Sequence, residues 1–215
     1  MFGTLFYLSG CMKMTLLAVV SVGALIPFFF HNVFGKTSRM FIGDGGTLVM
    51  GTVMSVFVIE ILRTDSPCVA FIGANVGLIP FTLAVLCIPV FDTLRVMSTR
   101  ILKGTSPFHP DKTHLHHMFI GLGASHMATT LAILFLNVSV VLCWWLMEGL
   151  GATIDVQLYA VAGMSLLATF GLYHFMQWHL DHNTKLLRKI RRIGYGIHIS
   201  RTRSFIWLQK VIDRI

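Results

Sequence analysis

Five apolar runs decide most of what this chain can become. Residues 14 to 33, 46 to 62, 68 to 90, 127 to 147 and 156 to 176 lie close to the roughly 20 apolar residues a helix needs to cross a bilayer. Four of the five contain no Asp, Glu, Lys or Arg, and the second carries only Glu60, near its end, where a charge reaches the interface. Backbone groups in lipid must be paired within their own segment, so each run reads as a helix rather than an open strand. Composition agrees: 55% of the chain is hydrophobic and 12% charged, about half the charged fraction of an ordinary soluble domain. The expected fold class is all-α, a polytopic membrane helical bundle of about five full spans, with cytoplasmic loops and a basic amphipathic tail.

Charge in the connections sets an orientation. Lys36 and Arg39 follow the first run, Arg95, Arg100, Lys103 and Lys112 follow the third, and nine Lys or Arg residues follow the fifth. The opposite side has Arg63 beside Asp65, then Glu148 and Asp155. The positive-inside tendency puts the basic loops and the tail in the cytoplasm. In the tail, Phe205, Leu208, Ile212 and Ile215 recur at helical spacing among cations, as in a helix lying on an anionic leaflet. The net charge of +8 is thereby accounted for, and no nucleic-acid partner is expected.

Residues 1 to 10 are apolar but too short to span, and they carry no basic n-region. They read as the end of a helix that starts upstream. Cys11, Cys68, Cys87 and Cys143 form no C-x-x-C pair and read as packing residues.

Polar chemistry concentrates between residues 91 and 126. The stretch "FDTLRVMSTRILKG" places Phe91, Leu94, Met97 and Ile101 on one helical face and Asp92, Arg95, Thr99 and Lys103 on another, predicting a short amphipathic surface helix. A solvated Asp92 to Arg95 pair of this spacing is worth only tenths of a kcal/mol. The following "SPFHPDKTHLHHMFIGLG" brings His109, His114, His116 and His117 within nine residues. Imidazoles at this density suit a transition metal, a phosphate or a proton shuttle. No Cys or Glu lies nearby to complete a zinc set, and the adjacent Arg95, Arg100, Lys103 and Lys112 favour a polyanion.

One acid stands at the mouth of a span. "MFIGDGGTLVMG" sets Asp44 among glycines at the start of the second run. Asp is a favoured N-cap, worth about 1 kcal/mol. The same helix end offers unpaired N–H groups and a positive dipole to a ligand.

These segments resemble the signatures of the polyprenyl-phosphate N-acetylhexosamine-1-phosphate transferases. "MFIGDGGTLVMG" is similar to their G-D-x-G-S segment, "HPDKTHLHH" to the D-x-x-H-I-H-H loop of the WecA branch, and "PVFDTLRV" to the segment leading into that loop. Asn32 in "FFFHNVFG" also fits the pattern. Thr47 and Leu115 stand where the family often has Ser and Ile.

The resemblance implies attack of undecaprenyl phosphate on a UDP-N-acetylhexosamine, giving a lipid-linked sugar diphosphate and UMP at a bacterial plasma membrane. GlcNAc is the expected sugar. It implies Mg2+ or Mn2+ as cofactor, Asp44 as metal ligand, and Asp44 and Asp92 as catalytic residues, with a nucleophile or base role for Asp44 left open. His114, His116, His117, Arg95, Arg100 and Asn32 become substrate contacts, and a homodimer is an expected assembly. Residues 1 to 178 then correspond to the C-terminal part of the transferase domain, and 179 to 215 to the tail. The family's D-D-x-x-D motif is absent, since no D-D pair occurs in the chain, which predicts a truncated and inactive form. The competing class is a transporter or metal-binding protein with a histidine-rich cytoplasmic loop.

Overall fold

The computed structural model describes residues 1–35, 37–38, 40, 42–72, 77–108, 113–182 and 203–213. Lys36, Arg39, His109 and Lys112, and most of the basic tail with Ile215, lie outside the described residues. Every regular element among the described residues is helical. The chain is a multi-pass membrane protein: among the described residues, four helices are long and apolar enough to cross a bilayer, or five with a bent pair taken as one span. It divides into two compact units, residues 1–78 with 199–215, and residues 79–198.

The first unit holds α1 (Phe2–Leu8), α2 (Met12–Phe34), α3 (Gly43–Leu62), α4 (Pro67–Ile72) and α11 (Arg203–Ile212). α2 and α3 reproduce the first two predicted spans. The short α1 turns back at Gly10, whose φ of 75° suits glycine. It packs on α2 where Gly3 faces Ala18 so closely that a Cβ on Gly3 would lie 3.0 Å from the Ala18 methyl. Phe6 reaches Phe57 of α3, with ring centroids 5.3 Å apart. The outward faces of α2 and α3 remain apolar, as at Leu16, Val19, Leu48 and Val49, which lipid accommodates.

The second unit holds α5 (Leu78–Val85), α6 (Cys87–Leu102), α7 (Leu115–Gly121), α8 (His126–Gly149), α9 (Ile154–Leu166) and α10 (Leu172–Asp181). α8 matches the fourth predicted span, and Ser125 caps it by accepting from the Ala128 N–H at 3.2 Å. A π turn over Leu167–Gly171 joins α9 to α10, so the fifth span runs 28 residues from Ile154 to Asp181. Ala84, Cys87, Ile88, Val140, Val141 and Val161 form the core between these helices.

The third predicted span is not one rod. α5 and α6 meet at a 72° bend, and hydropathy over 68 to 90 carries no sign of it. Asn137 of α8 serves the bend: its Nδ2 donates to the Val85 carbonyl at 3.1 Å and its Oδ1 accepts from the Ile88 N–H at 3.5 Å. A broken helix at membrane depth needs such a partner for its backbone groups.

Candidate functional site

α6 is turned inside out relative to the surface helix expected from its sequence. Asp92 and Arg95 are buried, Arg95 completely, while Leu94 and Ile101 are exposed. The spacing put the two polar residues on one face correctly. It gave no sign that this face packs inward, against the π turn and α10.

Asp92 is the hub of what lies there. Its Oδ1 accepts from Arg95 Nη2 at 2.7 Å and Arg95 Nε at 3.2 Å. Its Oδ2 lies 2.9 Å from His114 Nδ1. The Leu115 N–H points at both oxygens, 3.4 and 3.3 Å away, so the carboxylate also serves an unpaired amide in the first turn of α7. Arg95 Nη2 donates again, to the Thr113 carbonyl at 2.7 Å, and its guanidinium carbon sits 4.0 Å from the centroid of the Tyr173 ring. Arg95 Nη1 has no hydrogen-bond partner among the described residues. Arg95 is thus committed to Asp92 and Thr113 and is fully enclosed.

With Nδ1 held by a carboxylate, His114 has Nε2 as the ring nitrogen available to a ligand. His116 stacks on His114, with centroids 5.9 Å apart and planes 17° from parallel, and His117 follows at 4.0 Å from His116. Burial against these neighbours, and the charge His117 and His114 would carry, hold the His116 ring below its ordinary pKa. Among the described residues, no three His, Cys, Asp or Glu groups converge as a metal cluster.

A pocket of about 550 Å³ opens beside this hub. Ile88, Pro89, Ile133 and Leu134 give it apolar walls, while Asp92, His114 and His116 line its polar side. Arg100 lies further along α6, where its Nη1 donates to the Pro107 carbonyl and its own carbonyl accepts from the Thr105 N–H at 3.0 Å. It braces the turn leaving α6.

Asp44 and Asn32 belong to the first unit. Asp44 is exposed and is the second residue of α3, so the N-cap reading is corrected: Ile42 occupies the cap position and supplies no side-chain bond. The helix begins this way because Gly43 adopts φ 66°, which an L side chain resists. Asp44 still sits in the first turn, where the dipole and exposed N–H groups favour negative charge. Its carbonyl accepts from Thr47 Oγ1 at 2.8 Å. Asn32 Nδ2 donates to the Met40 carbonyl at 2.9 Å, tying the end of α2 to the connection that leads to Asp44.

Tyr173 and Asn137 were not singled out by sequence. Asn137 had a signal, a lone amide inside an apolar span. Tyr173 had none, because its meeting with Arg95 depends on how α10 packs beyond the π turn.

Sequence comparison supplies relatives. The chain is 28% identical over 188 residues to an undecaprenyl-phosphate alpha-N-acetylglucosaminyl 1-phosphate transferase of Pasteurella multocida, covering 81% of this chain and 46% of the relative. Proteins of the same name match from Haemophilus influenzae, at 26% identity over 89% of this chain and 50% of the relative, and from Salmonella typhi, at 24% over 89% and 48%. The chain is thus similar, over most of its length, to WecA-like transferases. It spans about half the length of the curated relatives it matches. No protein-family model and no solved structure matches it. The Asp92 hub and Asp44 lie in different compact units.

Proposed function

We propose that this chain takes part in transferring N-acetylhexosamine-1-phosphate, with GlcNAc as the sugar, from a UDP-sugar to a polyprenyl phosphate such as undecaprenyl phosphate. The observation that carries the reading is the Asp92 to His114 contact at 2.9 Å, set in a pocket with apolar walls. A carboxylate-oriented imidazole beside apolar surface suits a diphosphate whose acceptor arrives from the bilayer. The curated relatives' shared name points to the same chemistry.

In this reading the His114, His116 and His117 rings contact the sugar-nucleotide diphosphate, and Asp92 fixes the His114 ring. Arg95 holds Asp92 and reaches substrate only through it. Phosphoryl transfer asks mainly for positioning and charge neutralisation. Mg2+ typically takes one or two carboxylates plus substrate phosphates, and the exposed Asp44 fits as such a single protein ligand. When bound, such an ion would supply positive charge for phosphate chemistry. The basic loops face the cytoplasm of a bacterial plasma membrane.

The test is a transfer assay on the full chain in liposomes containing undecaprenyl phosphate, with radiolabelled UDP-GlcNAc and Mg2+, beside binding of the labelled nucleotide alone. Nucleotide binding that His114→Gln weakens about tenfold or more supports the reading, the effect expected of a group acting on a phosphate. A chain that neither binds UDP-GlcNAc nor forms lipid-linked product overturns it.

A further inference from the structure

The tail helix does more than lie along a surface. α11 packs against α2, with Ile212 buried, and Asp213 follows it directly. Asp213 Oδ1 accepts three hydrogen bonds from the connection between α2 and α3: the Thr37 N–H at 3.2 Å, the Ser38 N–H at 3.2 Å and the Ser38 hydroxyl at 2.9 Å. Successive backbone N–H groups of this kind form a concavity suited to an anion, and here the anion comes from the chain's own tail. The Ser38 hydroxyl also lies 3.3 Å from His31 Nδ1 at the end of α2.

Among the described residues, two ties hold this short connection. Asn32 fixes it at Met40, and Asp213 fixes it at Thr37 and Ser38. The second tie joins residues 175 apart in sequence, so no local turn can supply it. It persists only while α11 stays packed. The connection ends at Gly43, where the positive φ starts α3, and Asp44 is the next residue.

We propose that Asp213 is a positioning residue that, through the Thr37 and Ser38 amides, fixes the first turn of α3 and with it the backbone that carries Asp44. Only the metal role of Asp44 rests on the function proposed above. The positional claim stands on the hydrogen bonds.

The experiment uses the full chain in nanodiscs, as parent, Asp213→Ala, Asp213→Asn and Gln209→Ala. Hydrogen exchange is read by mass spectrometry, and Mn2+ binding by electron paramagnetic resonance. In Asp213→Ala, amide exchange should rise about tenfold or more at Thr37 and Ser38, the loss expected for bonds to a charged acceptor. The rise should extend to Thr47 through Met50, the first amides of α3 with intrahelical partners. Mn2+ affinity should fall about tenfold, as for loss of a group supporting a ligand. Asp213→Asn keeps an acceptor oxygen and should stay closer to the parent in both readouts, and Gln209→Ala should match the parent.

Unchanged exchange in Asp213→Ala, or a rise confined to Thr37 and Ser38, overturns the proposal. So does an equal effect from Gln209→Ala, which would assign the change to helix packing. A parent that binds no Mn2+ refutes the metal reading of Asp44 instead, and the exchange at Thr47 to Met50 then decides the positional claim.

Discussion

Replacing Asp92 by alanine separates a buried hub from a solvated surface pair. Arg95 is completely enclosed, and two of its three hydrogen bonds go to Asp92 Oδ1. Asp92→Ala leaves that guanidinium with one backbone carbonyl and the Tyr173 ring. It also removes the partners of His114 Nδ1 and the Leu115 N–H. Removing one member of a buried ion pair costs about 3–5 kcal/mol, against a few tenths for a solvated pair at this helical spacing. The difference lies far outside measurement error. The assay is denaturant unfolding in mixed micelles followed by tryptophan fluorescence, for Asp92→Ala, Arg95→Met and the double variant. The double variant should recover much of the loss, because an apolar replacement for a buried pair is often near neutral. A loss below about 1 kcal/mol for Asp92→Ala, or strict additivity of the two single changes, would refute the reasoning.

Gly43→Ala forces an L side chain to φ 66° and should cost about 1–2 kcal/mol, whereas Gly45→Ala meets nothing within 4 Å and should be tolerated; the same unfolding assay compares them. Asn137→Ala strips the partners of the Val85 carbonyl and the Ile88 N–H at the bend and should destabilise by about 1–3 kcal/mol. Faster hydrogen exchange around Leu86 to Val90 checks its location. His116 has a folded pKa below its ordinary value, so its contribution to stability is present above the unfolded pKa of about 6.5 and is lost as pH falls through the folded value. NMR should place its midpoint below that of an exposed histidine, and His117→Ala should raise it; an unperturbed midpoint contradicts the packing of the rings.

Hydropathy made four of the helices legible because length and apolarity are all that a bilayer asks of a span. It failed at the third, since a window average does not register a bend whose backbone groups are met by Asn137 from α8. The site was legible in its residue types and less so in its geometry. Helical spacing put Asp92 beside Arg95 on one face but gave no sign that this face is buried rather than wet, because its partners, His114 and Tyr173, come from the segment before α7 and from α10. Asp44 was found by its glycines. Its place in the first turn rather than at the cap follows from Gly43, whose positive φ no pattern announces. The Asp213 contact crosses 175 residues, beyond the reach of any local rule.

The central claim is that His114, oriented by Asp92, and the histidines beside it receive the diphosphate of a sugar nucleotide. Equilibrium binding of labelled UDP-GlcNAc to the chain in nanodiscs with Mg2+ tests it most directly, with His114→Gln as the probe and UMP and inorganic phosphate as competitors. The account predicts saturable binding that His114→Gln weakens and that UMP displaces better than phosphate does. Binding indifferent to His114, or absent from a folded chain, would contradict it.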